Sequence, residues 1–305
     1  MKKKKLLIGC VIGGVILIMA ALCFAIHLLF YSSVWHHLEL SSDKKTLIKC
    51  PDIVKYAIIP SSVTTIGRGA FEKCRNLRSV IIPNSVTTIE EDAFAFCCYL
   101  ERVTIPNSVK SIGECAFFGV PSVNVSSDHP VFMVDDSGAL IDKKREKLIR
   151  FCTGKQGNII FIEGKIDYVI PDGVKTIGKR AFACCSDLKS ITIPDSVTTI
   201  EAQAFAGCSN LRNIINSDSV TTIEAQAFAG CSNLRNIIIP DSVTTIAWGT
   251  FSGCRQLESV TITNRVKTIE HSAFSNCDGL HSVTISTETK YESNSFPINC
   301  KINQR

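Results

Sequence analysis

The chain has 305 residues, of which 45% are hydrophobic and 20% charged, and its formal net charge is +5. The first 30 residues hold four lysines and no acidic residue, so the remainder is nearly neutral. A near-neutral surface offers no basic stripe for a phosphate backbone, and we therefore expect no nucleic-acid partner.

The N-terminal segment, residues 1–31, predicts a membrane anchor. Lys2–Lys5 precede the uncharged run Leu6–Phe30, which as a helix is ~37 Å long and can span the ~30 Å hydrocarbon core. The lysines favour a cytoplasmic N-terminus and an extracellular remainder. Two alternatives stay open: secretion after cleavage of a signal peptide, and acylation at Cys10, which ends the lipobox-like sequence Leu7–Cys10.

Residues 32–60 predict a linker followed by a hairpin cap. In residues 38–50 two short apolar stretches flank a polar segment around Asp43. This arrangement is typical of a hairpin that covers the exposed end of a larger structure.

Two blocks, residues 61–120 and 171–286, repeat with a period of 23 residues. The period is visible in a series of phenylalanines: Phe71, Phe94, Phe117, Phe182, Phe205, Phe228, Phe251 and Phe274. The segments 201–223 and 224–246 differ only where Asn216 and Ser217 stand in place of Ile239 and Pro240. A fixed period of this length predicts a solenoid, in which each coil buries its apolar side against its neighbours.

One repeat predicts short strands and a short helical turn. Leu188, Ile191 and Ile193 change from three-residue to two-residue spacing, as expected where a turn leads into a strand, and Pro194 ends that strand. The segment Glu201–Cys208 contains good helix formers for about one turn. We therefore expect a β-rich solenoid, an arc of coils stacked ~4.8 Å apart with short strands and short helical turns.

Residues 121–170 break the period and predict a hairpin island. Two apolar stretches flank a turn at Asp135–Gly138, and a basic run follows. The island is interpreted either as a structural splice between the blocks or as a projecting contact site. The candidate contact residues are Lys143, Lys144, Arg145 and Lys147.

Residues 287–305 predict a C-terminal cap, because Phe296 and Cys300 fall outside the period and the segment is polar. Within the second block, Asn216 occupies a position where the other full repeats place an inward aliphatic residue. Burying an unpartnered amide costs roughly 1–3 kcal/mol, so this coil is expected to be a weak point in the stack.

The cysteines are interpreted as core thiols. Among the 15 cysteines, a set recurs in phase with the phenylalanines: Cys74, Cys97, Cys185, Cys208, Cys231, Cys254 and Cys277. A small apolar side chain fits an interior column, and stacked inward side chains rarely adopt the torsion that a disulfide requires.

The sequence carries no motif for catalysis or for binding a metal or cofactor. It lacks paired metal-ligand spacings, a nucleophile motif and a phosphate loop. Asp135–Gly138 resembles the start of a calcium loop, but the later ligands and the closing Glu are missing. We therefore expect a non-enzymatic protein without a cofactor.

The repeat motif LxxVxIPxSVxxIxxxAFxxC occurs at Leu77–Cys97, Leu188–Cys208 and Leu234–Cys254. It resembles the BspA-like, treponemal-type leucine-rich repeats of bacterial surface proteins, over about residues 38–296. This resemblance implies a β-solenoid displayed outside the cell as an adhesin or ligand-binding module. It brings no shared catalytic motif.

The expected binding surface is the concave face of the arc. Its candidate residues form a column of mixed charge that precedes the strands: Arg78, Glu101, Lys189, Arg212, Arg235, Glu258 and His281. Stacking predicts that Arg212 and Arg235 lie ~5 Å apart. The expected function is binding of an extracellular protein or glycan at the cell surface, and the alternative is a structural envelope protein whose repeats act as a spacer without a specific ligand.

Overall fold

The computed structural model describes residues 38–151, 166–215 and 217–305. The predicted anchor Leu6–Phe30 and the polar position Asn216 lie outside these residues. Within them every regular element is a short strand, and no helix is long and apolar enough to cross a membrane. The predicted β-solenoid is confirmed, with about 11 turns.

The strands of the cap and first block are β1 (Glu39–Leu40), β2 (Thr46–Lys49), β3 (Tyr56–Ile58), β4 (Thr65–Ile66), β5 (Ser79–Ile81), β6 (Thr88–Ile89), β7 (Val103–Ile105), β8 (Ser111–Ile112) and β9 (Val123–Val125). The island contributes β10 (Phe132–Val134), β11 (Ala139–Asp142) and β12 (Lys147–Phe151).

The strands from the end of the island to the C-terminus are β13 (Ile166–Val169), β14 (Thr176–Ile177), β15 (Leu188–Thr192), β16 (Thr199–Ile200), β17 (Asn213–Ile215), β18 (Thr222–Ile223), β19 (Asn236–Ile238), β20 (Thr245–Ile246), β21 (Ser259–Thr261), β22 (Thr268–Ile269), β23 (Ser282–Ile285), β24 (Lys290–Tyr291) and β25 (Lys301–Gln304).

Each coil has three sides, and two of them are built from parallel strands. The longer strands β3, β5, β7 and β9, and the odd-numbered strands from β13 to β25, form the side whose outer surface we call the strand face. The short strands β4, β6, β8 and the even-numbered strands from β14 to β24 form the second side. There Thr88 pairs with Thr65 and Ile89 with Ile66, so β-branched residues of successive coils stack in register.

The third side, which we call the turn side, is not helical, and the predicted helical turns are wrong. The N–H of Phe205 donates to the carbonyl of Ala227 in the next coil at 2.7 Å, whereas the N–H of Ala204 donates to Glu201 in its own turn at 3.2 Å. N–H groups thus alternate between the neighbouring coil and the local turn. Helix nucleation is costly for so short a segment, and the stack offers these N–H groups partners in the next coil.

The core is a continuous column of phenylalanine rings on the turn side. Neighbouring rings stack with centroids 4.7–5.5 Å apart, from Phe71 to Phe117 and from Phe182 to Phe296. Each in-phase cysteine lies beside this column, and the Cys208 thiol donates to the carbonyl of Phe182 in the previous coil at 3.0 Å. The cysteines of the described residues are free thiols.

The island joins two cores. Strand β11 lies antiparallel to both β10 and β12, and all of its residues are buried. Leu140 packs into the core of the first block, while Ala139 and Ile141 pack into that of the second. Strand β12 then pairs in parallel with β14, as β2 pairs with β4 at the start of the solenoid. The hairpin therefore acts as a splice and supplies the first coil of the second block.

The C-terminal segment continues the stack. The ring of Phe296 lies 5.3 Å from that of Phe274 and nearly parallel to it, and β25 pairs in parallel with β23. Phe296 follows Phe274 by one residue less than the period, so the interpretation of Phe296 as out of register is wrong. The last coil is one residue shorter and still fills the same column.

Candidate functional site

The strand face carries exposed apolar side chains in one outward column. Ile81, Ile215 and Ile238 are 57%, 60% and 64% exposed. Strand geometry explains this, because alternate residues of β5, β17 and β19 point inward and outward, and these isoleucines follow the inward Val80, Ile214 and Ile237. Threonine occupies the same outward position in other strands, as at Thr104, Thr192 and Thr261. Single exposed apolar side chains are common on protein surfaces, whereas contiguous apolar patches are typical of binding surfaces.

The predicted column of mixed charge lies at the starts of the strands, with Lys189 inside β15 and the other residues one or two positions before their strands. Arg78, Glu101, Arg212, Arg235, Glu258 and His281 are exposed, and Lys189 is half-buried. The guanidinium of Arg78 lies 4.6 Å from the ring centroid of Tyr99, a distance that suits a cation–π contact. Arg235 faces Glu258 at 3.9 Å, with both side chains largely exposed. An exposed pair of this kind contributes little energy and leaves both residues accessible to a partner.

The two predicted neighbours Arg212 and Arg235 are separated by an interruption in the sheet. The N–H of Arg212 donates to the carbonyl of Lys189, and the N–H of Glu258 donates to the carbonyl of Arg235, both at 2.8 Å. The matching bond from Arg235 to Arg212 is absent from the described residues, and β17 and β19 belong to separate sheets. The expected ~5 Å spacing assumed an unbroken ladder, and it therefore has no support here.

We call this interface the seam, defined as the contact between the coil of Phe205 and the coil of Phe228. The second side is interrupted there as well, since β18 and β20 also lie in separate sheets. The N–H groups of Thr221 and Lys267 donate to carbonyls of the preceding coil at 2.9 and 2.8 Å. Over the described residues, the N–H of Thr244 makes no such bond. In the described part of the chain, the second side is bridged at the seam by the hydroxyl of Ser242, which donates to the carbonyls of Asp218 and Val220.

The turn side stays closed at the seam. Gln203, Phe205 and Gly207 donate their N–H groups to the next coil at 2.7–3.1 Å, and the rings of Phe205 and Phe228 stack at 5.1 Å. The two coils are thus joined along the phenylalanine column, while β17 and β19 do not share a sheet over the described residues.

A cleft of about 580 Å³ opens on the strand face at the seam. Its walls are strands β17 and β19, and it is lined by Ile214, Ile215, Ile237 and Ile238 together with Asn213 and Asn236. Arg212 and Asp218 lie at its rim, before and after β17. Its volume falls within the range of ligand-binding pockets.

The island residues are mostly engaged in contacts of their own. The Lys147 ammonium lies 2.7 Å from the Glu201 carboxylate, with both side chains about four-fifths buried. Lys143 donates to the carbonyl of His129 at 2.5 Å, and Arg145 lies 3.7 Å from Asp142. Lys144 is exposed. These contacts tie the basic run to the splice rather than present it as one cluster.

Two exposed apolar residues of the strand face, Tyr56 and Val169, were not predicted from the sequence. They lie at the starts of the two blocks, where the Phe-based period is not yet visible. Each nevertheless stands 23 residues before its partner in the next strand, Ser79 or Thr192. Extending the period backwards by one repeat would have found them.

The buried thiols are poor nucleophiles. Burial raises the pKa of Cys208 and Cys231 well above the usual value, and it raises that of Cys97 to about 12. Only the thiolate reacts readily, so these groups stay inert in the folded chain. No group of three His, Cys, Asp or Glu side chains in the described part of the chain is arranged to hold a metal ion.

The comparison with protein families matches residues 43–127 and 175–303 to the BspA type leucine rich repeat region, in six copies. The chain belongs to this family. The match omits most of the island, which agrees with the island's position as a splice between two repeat blocks. The comparison with curated proteins found no match.

Two solved structures are similar over most of this chain. A leucine rich cell surface protein from Faecalibacterium prausnitzii is 32% identical over 82% of this chain and 60% of its own, with a TM-score of 0.64. The pneumococcal vaccine antigen PcpA is 27% identical over 83% of this chain and 63% of its own, with a TM-score of 0.73. The chain therefore spans less than two thirds of either protein.

A leucine-rich repeat protein from Eubacterium ventriosum is 20% identical, with a TM-score of 0.55 over 86% of this chain and 94% of its own. At this identity the likeness concerns the fold alone.

Proposed function

We propose that the chain is a cell-surface binding module whose strand face contacts an extracellular protein or glycan. The supporting observation is the exposed pair Ile215 and Ile238, which lines a cleft beside exposed charged residues on one regular surface. An apolar cleft rimmed by polar residues is typical of a binding surface. The likeness to a bacterial cell surface protein supports the same role.

We further propose that Leu6–Phe30 anchors the chain in the membrane with the repeats outside, and that the chain is not an enzyme and needs no cofactor. The length of the apolar run and the preceding lysines support this topology. Protease added to intact cells should degrade the repeats. Protection of the repeats, or a mature N-terminus beyond residue 25, would contradict the anchor.

Binding can be tested with the full chain purified in detergent and applied to arrays of extracellular matrix proteins and glycans. We expect saturable binding to at least one of them. The double variant Val169→Glu, Ile238→Glu places charges on the strand face and should weaken this binding about tenfold or more.

The matched control is Thr198→Glu with Thr222→Glu, which places the same charges on exposed positions of the second side. It should leave binding unchanged. Absence of any saturable ligand, or equal loss in both variants, would reject the strand face as the binding surface and favour a spacer role.

A further inference from the structure

A cavity of about 170 Å³ lies at the block junction, which is the place where the coil of Phe117 meets the island and the coil of Phe182. Residues 112–115, at the end of β8, form one wall, the island hairpin forms the second, and residues 178–179 of the second block form the third. Since each water of the liquid takes about 30 Å³, the cavity has room for about five waters or for one small ring.

Asp142 brings a buried carboxylate with one open oxygen into this cavity. Its side chain is 4% exposed, and its Oδ1 accepts the N–H groups of Lys144 and Arg145 at 2.9 and 3.0 Å. Over the described residues Oδ2 accepts no hydrogen bond, and the ion pair that joins it to Nε of Arg145 is 3.7 Å long. Because a buried carboxylate oxygen without a donor is costly, the contents of the cavity must supply one.

Two further ion pairs balance the charge of the lining. The ammonium of Lys147 lies 2.7 Å from the Glu201 carboxylate, and that of Lys179 lies 3.0 Å from the Glu114 carboxylate. With the pair of the island hairpin, every charged side chain of the lining has a partner of opposite sign. An ion that entered would lose its hydration without meeting an excess of opposite charge, so the cavity favours a neutral ligand.

The polar groups that remain open match neighbouring hydroxyls. The carboxylate of Asp142 can only accept, while the Arg145 guanidinium can only donate, and its side chain is 63% exposed. A hydroxyl does both, and two neighbouring hydroxyls fit the paired atoms of a planar charged group. Ile112 and Ile149 lie in the same lining and provide an apolar patch for C–H groups. This combination suits a sugar ring.

A more open cleft of about 390 Å³ adjoins the cavity on the side of the first block. Ile112, Gly113 and Arg145 line both, and the hydroxyl-bearing Thr88 and Ser111 line the cleft. A chain of sugar units could therefore continue from the cavity along the second side of the solenoid.

We propose that the cavity at the block junction binds the terminal unit of a neutral glycan. Asp142 accepts hydrogen bonds from the hydroxyls of this unit, Arg145 donates to them, and the next units extend into the adjoining cleft. The island then acts both as a splice and as a contact site. The inference goes beyond the proposed binding by the strand face, because it assigns a separate site on another side of the solenoid.

The test uses the full chain in lauryldimethylamine oxide, a detergent without a sugar head group, and saturation-transfer difference NMR. The probes are methyl α-glucoside, methyl α-mannoside and methyl β-galactoside. We expect saturable binding of at least one of them, with a Kd of about 1 mM for a ligand of this size.

Two variants remove the open polar groups, and each has a matched control. Asp142→Asn keeps the oxygen that holds the turn but replaces Oδ2 by a donor, and it should weaken binding about tenfold or more. Its control is Asp43→Asn in the turn of the cap hairpin, where Oδ1 likewise accepts a backbone N–H, that of Lys45. Arg145→Ala changes an exposed side chain and should fold, and we expect it to weaken binding about fivefold or more. Its control is Lys144→Ala at the exposed neighbouring position, and both controls should change binding less than about twofold.

The inference is overturned if no glycoside gives a saturable signal, since the cavity then holds water only. Undiminished binding in both Asp142→Asn and Arg145→Ala would also overturn it, as would displacement of the bound glycoside by inorganic phosphate or glycine at equal concentration.

The strand-face variant Val169→Glu, Ile238→Glu separates this inference from the proposed function, and it should retain glycoside binding. Loss of binding in that variant but not in Asp142→Asn would move the sugar to the strand face and remove the site at the block junction. Glycoside binding that depends on Asp142, without an array ligand that depends on the strand face, would keep this site and reject the proposed function.

Discussion

The backbone of each repeat demands two left-handed residues, two positions before and two after the stacked phenylalanine. Around Phe205 these are Gln203 and Gly207, and around Phe182 they are Arg180 and Cys184. A left-handed conformation costs a residue with a Cβ roughly 1–2 kcal/mol, and glycine is free of this cost. The repeats place glycine at only some of these positions, so each of the others holds local strain.

Replacing Cys184 by glycine should therefore stabilise the chain. Cys184 has φ 60° and is exposed, and the next coil has glycine at the equivalent position. We expect Cys184→Gly to raise the free energy of unfolding in urea by about 1 kcal/mol. The reciprocal change Gly207→Ala should lower it by a similar amount, since its new Cβ would meet Cys184 only at ordinary contact distance and the cost is that of φ +73°. A change of the same sign in both variants would contradict the argument.

His129 makes stability depend on pH. Its buried Nδ1 accepts the N–H groups of Val131 and Phe132, and its Nε2 lies 3.1 Å from the Pro106 carbonyl. This arrangement requires a neutral ring protonated at Nε2. Burial, the largest effect, and the nearby Lys143 lower the pKa of His129, the Pro106 carbonyl and Asp128 oppose them, and the net pKa lies below the ordinary 6.5.

Because the folded pKa is lowered, the unfolded chain binds the proton first as the pH falls below 6.5. The contribution of His129 is fully present above this pH and decreases below it. Urea unfolding of the wild type should show lower stability at pH 5.5 than at pH 7.5, and His129→Gln should show a smaller difference between the two. An equal pH dependence in the variant would assign the effect to other groups.

At the scale of single elements, the turn side determines which thiols can react. Cys97 and Cys98 are neighbours, as are Cys184 and Cys185, and in each pair one thiol is buried and the other exposed. A short pulse of N-ethylmaleimide on the native chain should label Cys98 and Cys184 and spare the buried in-phase cysteines. In denaturant without reductant all of them should react, as read by peptide mass spectrometry. Disulfide-linked peptides from the in-phase set would contradict the thiol column.

The sequence predicted the coil well because its period acts on side chains that must be buried in every repeat. Phe205, Cys208 and Leu211 are fully buried, as their spacing requires. The prediction of a helical turn on the turn side was wrong. The residues of Glu201–Cys208 favour a helix, but several of their backbone N–H groups donate to the next coil instead. Propensity describes an isolated segment, whereas a stacked coil offers its neighbours as hydrogen-bond partners.

The candidate site was only partly predictable. The outward column follows from the two-residue alternation of strands, so Ile215 and Ile238 could be placed from the sequence. The interruption of the strand sheets at the seam could not be predicted. The sequence identifies the unusual coil at Ser217, but it does not show on which side of the solenoid the contact between the two coils is lost. That depends on the balance between the closed phenylalanine column and the two strand ladders.

At the scale of the whole molecule, stability is a sum over coils and the interfaces between them. Over the described residues the seam has fewer backbone bonds than the interfaces beside it. Ser217 is buried where most other repeats have proline, and its hydroxyl accepts the N–H of Ser219. We expect urea unfolding in two steps, with the amides of β17 to β20 exchanging faster than those of β14 and β16.

Restoring the sequence of the next repeat should close the seam. The double change Asn216→Ile, Ser217→Pro should raise the free energy of unfolding by about 1–3 kcal/mol and merge the two steps into one. Urea unfolding followed by circular dichroism measures both effects. A loss of stability would mean that the polar pair is well satisfied where it stands.

The seam also gives the solenoid a mechanical weak point. A force that pulls the two ends of the chain apart along the stack is shared by three sides wherever the ladders are closed. At the seam the backbone bonds of the described residues are those of the turn side, from Gln203, Phe205 and Gly207, and side-chain bonds such as that of Asn233 to Ser209 supplement them. Under tension the molecule should first bend open there, widening the cleft between β17 and β19 while the coils on either side stay intact.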